Sequence, residues 1–413
     1  MRRSLVPATL LLYGCGDPIA PIEQLPRDLT VVETELIAGS NAFGLELFRE
    51  TVAADPRRNI VLSPLSASMA LGMTLNGADG GTFDAMRSTL GFADLAREEI
   101  NDAYHDLIEL LTSLDPAVRF DIANSVWANE DVEIHEAFMQ TVSDAFEARS
   151  ESRDFSDAAT LDAINAWVAE ETDGLIERML DELDPDLVML LLNAIYFDGA
   201  WTTQFDPADT RRQGFTREDG STIEVDMMTI RDEDFALGGG PDYQAAELPY
   251  GGAAFSMVVA VPNENARDFV GGLDSNRWDG IIESLSPRTV DALSIPKLEL
   301  SYDALLNEAL RGMGMDVAFR PGADFTRMSP IGDQLCIDFV RQKTFIEVDE
   351  RGTRAAAATS VGVGPTSFNG LIADRPFVFA IRERFSGTIL FVGYVGDPMA
   401  PDPGAEPYQS ECG

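Results

Sequence analysis

Apolar positions in the first part of the chain recur three and four residues apart. Residues 41–53 (NAFGLELFRETVA) set Phe43 above Leu47 and Phe48 above Val52, which is one stripe of a helix. A second helix is predicted over residues 66–75, and Thr82 has the character of an N-cap opening a third. Further along, that period disappears. Residues 187–197 (LVMLLLNAIYF) and 255–262 (FSMVVAVP) are apolar on both faces, so they are predicted as central strands covered on two sides. Residues 375–395 read as two strands around a turn at Ser386 and Gly387. Helices first, antiparallel strands last and a mixture between predict an α+β fold. No internal repeat and no linker rich in Gly, Ser or Pro divides the chain after Val32, so a single domain is expected.

One stretch fits neither period. Residues 349–368 (DERGTRAAAATSVGVGPTSF) place four alanines, two glycines and a proline just before the last apolar strands. The alanine run is far shorter than the roughly 12 residues an isolated helix needs. Read alone, it is a surface loop of small residues.

Composition narrows the function. The 70 acidic and 30 basic residues leave a formal charge of -40, which repels phosphate backbones and argues against nucleic-acid binding. The acidic run 98–109 (EEINDAYHDLIE) reads as a solvated helix face. The start, MRRSLVPATLLLYGC, has the pattern of an export signal and is too short to span a bilayer. Residues 12–15 also resemble a bacterial lipoprotein cleavage box; Cys15 would then carry lipid and residues 16–32 would form a tether. Ordinary secretion is the alternative. Cys336 and Cys412 could pair and staple the acidic tail 399–413 to the body, or Cys336 could be a free buried thiol. The only histidines are His105 and His135; without a Gly-x-Ser-x-Gly elbow or a His-Glu-x-x-His motif, neither hydrolase nor zinc chemistry has its parts, and no cofactor is expected.

Several segments, in order, resemble the serpins, inhibitors that trap serine proteases. NIVLSPLSASMALGMTLNG (59–77) and GGTFDAMRSTL (80–90) are similar to the family's first signature, and NAIYFDGAWTTQF (193–205) to its central one. ELPY at 247–250, IPK at 295–297, the hinge 347–359 and the closing strands 374–393 follow. The resemblance covers residues 33–398 and implies about nine helices, three mainly antiparallel sheets and an exposed reactive-centre loop after Glu350. In this family the target protease cleaves the loop, whose N-terminal part then inserts into the largest sheet as a new central strand.

A segment that slides between strands must turn small side chains toward the core. With Gly352 as the bend, strand alternation turns Thr353, Ala355, Ala357, Thr359, Val361 and Val363 inward, with Ala356 and Ala358 on the other face. Arg354 points outward, where the family more often has an acidic residue. Alignment with the family places the reactive bond at Thr366–Ser367; counting from the far side places it at Pro365–Thr366, after a proline that proteases cut poorly. The bait Thr366, preceded by Val363, Gly364 and Pro365, suits the shallow apolar pocket of elastase-like or subtilisin-like enzymes. The resemblance also assigns control of sheet opening to Glu350, Lys297 and Trp201 at the top of the loop, and to Ser63, Ser66 and Asn193 beneath the sheet. There Gln342 replaces the family's histidine. Heparin-like activation is not expected, because the matching helix is acidic. A monomer is expected. The rival reading is a serpin-fold binding protein that inhibits nothing.

Overall fold

The computed structural model describes residues 21–57, 59–352, 369–402 and 404. Among them the helices are Val31–Ala54 (α1), Pro64–Leu75 (α2), Gly80–Thr89 (α3), Arg97–Ser113 (α4), Glu136–Phe146 (α5) and Ala158–Glu171 (α6). Ala266–Gly271 (α7), Ser275–Ser284 (α8) and Asn307–Leu310 (α9) follow later. The strands are Asn59–Leu62 (β1), Val118–Asn129 (β2), Arg149–Arg153 (β3), Met189–Gly199 (β4), Arg211–Thr216 (β5), Thr222–Ile230 (β6), Glu233–Gly239 (β7) and Tyr243–Tyr250 (β8). They continue with Phe255–Pro262 (β9), Ser286–Val290 (β10), Ala292–Pro296 (β11), Leu298–Leu305 (β12), Arg341–Val348 (β13), Gly370–Ile372 (β14), Phe377–Glu383 (β15) and Ile389–Val395 (β16).

The α+β class is therefore as predicted, and helix boundaries follow capping chemistry more closely than apolar period. Helix α1 begins well before residue 41, because Thr30 and Glu33 form a reciprocal capping box there. Helix α2 starts at Pro64 behind the N-cap Ser63. Thr82 is not a cap. Asp79 caps α3, and Thr82 is buried inside the helix, its Oγ1 accepting from the Asp324 N–H.

The largest sheet runs β1-β16-β15-β9-β8-β7-β10, with β9, β15 and β16 buried along their whole length. A second sheet runs β14-β11-β6-β5. Three sheets are expected, and the described residues hold four. The strands that a third sheet needs are divided into β3-β2-β4 and β12-β13, with no ladder joining β4 to β13. Strand β4, predicted as central, is consequently an edge strand within the described residues. The core lies on the inner side of both small sheets. A second apolar cluster lies on the outer side, where Trp127, Leu190 and Leu192 meet Ile164, Trp167 and Val168 of α6 and Ile176, Met179 and Leu180 of the segment after it.

Residues 21–32, expected within a tether, lie on the body: Ile22 donates from its N–H to Gly252 O at 2.7 Å, and Ile22, Leu25 and Leu29 pack on the core. After β16 the chain is clasped by Asn59, whose Nδ2 donates to Asp397 O, and by an Arg57–Asp402 ion pair of 3.1 Å. Cys336 is disulfide-bonded, which excludes the free thiol; the bonded partner lies outside the described residues. The export signal and Cys15 also lie outside them. No helix of the described residues is long and apolar enough to cross a membrane.

Candidate functional site: a seam between two sheets

The edges of β4 and β13, with no strand between them among the described residues, face one another across a seam floored by α2. Its lower part is a cavity of about 490 Å³, bounded by Ala67, Ala70 and Thr74 of α2, by β4, and by residues 334–343. The segment between α6 and β4 crosses outside it, and Lys343 Nζ donates to Arg178 O at 2.9 Å to hold that crossing. Asn165 fixes the same segment from α6, donating to Leu180 O and accepting from the Met179 and Leu180 N–H groups.

At its upper end the seam is shut. Ala200 and Gly352 form an antiparallel bridge, the Trp201 N–H donates to Arg351 O at 2.6 Å, and the Phe205 N–H donates to Glu350 O at 2.9 Å. Gly352 has φ of 154°, and a Cβ there would stand 2.0 Å from Gly199 O, so the close approach requires glycine. Trp201 is buried, stacks on Tyr250 at 4.3 Å between ring centroids, and donates through Nε1 to Asp349 O at 2.9 Å.

Glu350 and Lys297 meet here at 2.7 Å. The pair is not an exposed one, because the Glu350 side chain is only 1% accessible. Thr210 Oγ1 donates to Glu350 Oε1 at 2.6 Å, a partner that nothing in the chain's local pattern marks. Burial pushes the Glu350 carboxyl up; hydrogen bonds from Lys297 and Thr210 and the ammonium charge outweigh it, so the group lies below the ordinary carboxylate range. Its neighbour Asp349 is displaced the other way. Burial and the adjacent Glu350 charge hold it above its ordinary value, although the Arg351 and Gly352 N–H groups donate to Oδ1. Asp349 Oδ2 is buried without a hydrogen-bond partner.

The two signs differ with pH. Glu350 contributes stability above the ordinary glutamate pKa and loses it as pH falls through its lowered folded value; Asp349 contributes below the ordinary aspartate pKa and loses that as pH rises through its raised one. Replacing Asp349 by Asn removes a charge with an orphaned oxygen while keeping an acceptor for the turn. The expected result is a gain in stability at pH 7 that disappears as pH falls below the ordinary aspartate pKa, read from melting curves across pH. An Asn variant no more stable than the parent at pH 7 overturns this assignment.

Beneath the middle of the seam, the predicted polar residues divide into two groups. Gln342 holds the start of α2: its Oε1 accepts from the Ser63 N–H at 3.0 Å and its Nε2 donates to Ser63 O at 2.8 Å. Ser63 Oγ donates to Leu390 O and accepts from the Ser66 N–H. Asn193 stands apart, donating to Asn124 Oδ1 at 2.7 Å, while its own buried Oδ1 has no partner. The hinge residues 353–359, the bait Val363, Gly364 and Pro365, and the bond at Thr366–Ser367 lie outside the described residues.

Comparison with known proteins agrees with this architecture. Residues 38–398 match the family model "Serpin (serine protease inhibitor)". Iripin-2 of Ixodes ricinus is 33% identical over 378 residues, covering 88% of this chain and 94% of the relative, and Neuroserpin of Gallus gallus is 32% identical, covering 86% and 90%. Among solved structures, the thermophilic serpin Tengpin in its native state superposes with a TM-score of 0.79 at 31% identity, covering 92% of this chain and 97% of that one. The thyroxine-binding globulin complex with thyroxine superposes at 0.80 with 27% identity, covering 88% and 99%. The matched region spans both small sheets, the seam and the closing strands, and the chain belongs to the serpin family.

Proposed function

We propose that this protein is a suicide-substrate inhibitor of serine proteases, a trap and not a catalyst. One observation carries the reading: the seam is pinned at Gly352, where the loop begins, and both of its edges are in register to accept that loop. Continuing the Ala200–Gly352 bridge down β4 sets Thr353 opposite Gly199, Ala355 opposite Phe197, Ala357 opposite Ile195 and Thr359 opposite Asn193. The Asp349 N–H donates to Gly352 O at 2.8 Å, and continuing that hairpin down β13 sets the same residues opposite Val348, Ile346, Thr344 and Gln342. The two edges are independent, and they agree.

Along β13 the buried residues are Gln342, Thr344, Ile346 and Val348, which face the core. Their loop partners would face it too, and these are the small residues that strand alternation turns inward. Thr359 would stand between Asn193 and Gln342, with its hydroxyl available to the orphaned Asn193 Oδ1. Strand β4 would pair as far as Val363, so Pro365, which has no N–H to donate, falls just past the ladder.

In this reading the target's serine attacks Thr366 and the loop inserts while the acyl-enzyme persists. Dragging the protease to the far pole spoils its oxyanion hole, where one lost donor already slows turnover ~100-fold or more. The small β-branched bait points to elastase-like or subtilisin-like targets. Export, with lipid on Cys15 or by plain secretion, would place the trap where such proteases act. The exposed acidic face of α4 would repel heparin, the ligand present in the matching structure of native protease nexin-1.

Incubation with elastase and with subtilisin, followed by denaturing gels, tests the proposal. A covalent band with release of a C-terminal fragment beginning at Ser367 is expected. Clean cleavage that leaves the protease fully active favours the binding-protein reading, in the manner of the thyroxine complex.

A further inference from the structure

Residues 21–29 form neither helix nor strand, yet a short series of bonds connects them to the shut end of the seam. Leading back from the start of α1, they cross α4, where Arg27 donates to Asp106 O and pairs with the buried Glu33 at 2.5 Å. Ile22, Leu25 and Leu29 lie half-buried on the core. At the far end the Ile22 N–H donates to Gly252 O at 2.7 Å, and a Cβ on Gly252 would stand 3.2 Å from Ile22 Cδ1, so this side chain lies against the turn that joins β8 to β9. That turn, residues 250–253, holds the shut end of the seam from its other side. The Gly251 N–H donates to Ala200 O at 2.8 Å, the Thr202 N–H to Pro249 O at 2.8 Å, and Thr202 Oγ1 to Gly251 O at 2.9 Å. Trp201 bridges to Tyr250. Ala253 has φ of 69°, a conformation that a residue other than glycine keeps only where the bonds around it fix it.

We propose that residues 21–29 are a strap that keeps the shut end of the seam in place through the 250–253 turn. Its influence runs through ties in series: Ile22 to Gly252, Gly251 to Ala200, and Ala200 to Gly352. The strap is the weakest member of that series. It meets the turn through the Ile22 backbone bond and half-buried side chains, so it opens more readily than the ladders around it. Lifting it leaves the Gly252 N–H donating to Asp115 Oδ2 at 2.8 Å, but strips Gly252 O and the face above it. The turn then gains freedom, and the N–H groups that pin the seam gain it too. In an inhibitor that works by insertion, such a strap would set how readily the seam opens.

Hydrogen exchange of the full chain, read by mass spectrometry, tests the strap with two variants. Ile22→Pro removes the N–H donor while keeping an apolar ring, and Leu25→Asp lifts the strap without touching that bond. In both, exchange in peptides covering residues 199–205 and 249–253 is expected to rise about tenfold, the effect of roughly one lost hydrogen bond, while β9 and β15 exchange as in the parent. Parent-like protection of Trp201 and Phe205 in both variants overturns the proposal. An equal rise in β9 and β15 overturns it as well, because the strap would then support the whole body and not the pin. No protease enters the measurement, so failure of the strap and failure of the trap are read separately.

Discussion

Cleavage at Thr366–Ser367 is expected to raise the thermal midpoint of this protein by about 10 °C or more. Among the described residues, two strand edges, β4 and β13, carry no ladder between them, and an inserted strand would complete roughly a dozen hydrogen bonds at about 1 kcal/mol net each. Small inward side chains would also reach the seam and its cavity. A gain on the order of 10 kcal/mol shifts a midpoint by tens of degrees in a domain of ordinary size, and by less in a chain this long. An intact molecule so far above its cleaved form would be held by a kinetic barrier. In the proposed trap, the shut end of the seam would contribute to that barrier through the Ala200–Gly352 bridge, the Trp201 bonds to residues 349 and 351, and the buried Lys297–Glu350 pair. Differential scanning of intact and nicked protein measures the effect. A nicked sample melting at the parent temperature removes the basis for the trap.

Thr353→Arg is expected to convert the inhibitor into a substrate. On insertion in the register proposed above, residue 353 would face inward opposite Gly199 and Val348, and Val348 is 1% accessible. An arginine there would have to bury an unpaired charge at the first inward position, which costs several kcal/mol. Each 1.4 kcal/mol on the insertion barrier slows it tenfold, so deacylation overtakes insertion and the protease leaves intact. Titration against subtilisin would show the moles of variant consumed per mole of enzyme inhibited rising by about tenfold or more. The adjacent residue, Arg354, already carries a charge, and strand alternation would turn it to the opposite face on insertion. Unchanged trapping by Thr353→Arg would remove the inward assignment for the whole loop.

Much of the fold was readable from local chemistry. The apolar period located the first helices, and the two-faced strand Phe255–Pro262 appears with its predicted ends. The closing hairpin turns at Gly387, with φ of 79°. The misreadings have a common cause. Thr82 has the chemistry of a cap, yet its partner is Asp324, far along the chain. The export-like start was extended into a tether through residue 32, whereas Ile22 is tied to Gly252 across the molecule.

The candidate site was legible in the same uneven way. Gln342 was expected in one polar cluster with Ser63, Ser66 and Asn193; it bonds the backbone of Ser63, while Asn193 bonds Asn124. Nothing in the chain's order announces Thr210 as a partner of Glu350, the orphaned oxygen of Asp349, or Asn165 as the fixing point for the crossing segment.

Taken alone, the order of residues determined what alternates with what: which positions share a face, where small side chains cluster, and where a glycine or proline must end a regular run. Those are short-range matters of backbone geometry. Only the tertiary structure decided that, among the described residues, two edges carry no ladder between them and that one end of the gap is pinned at Gly352. Pairing between distant strands depends on which surfaces the rest of the core brings side by side.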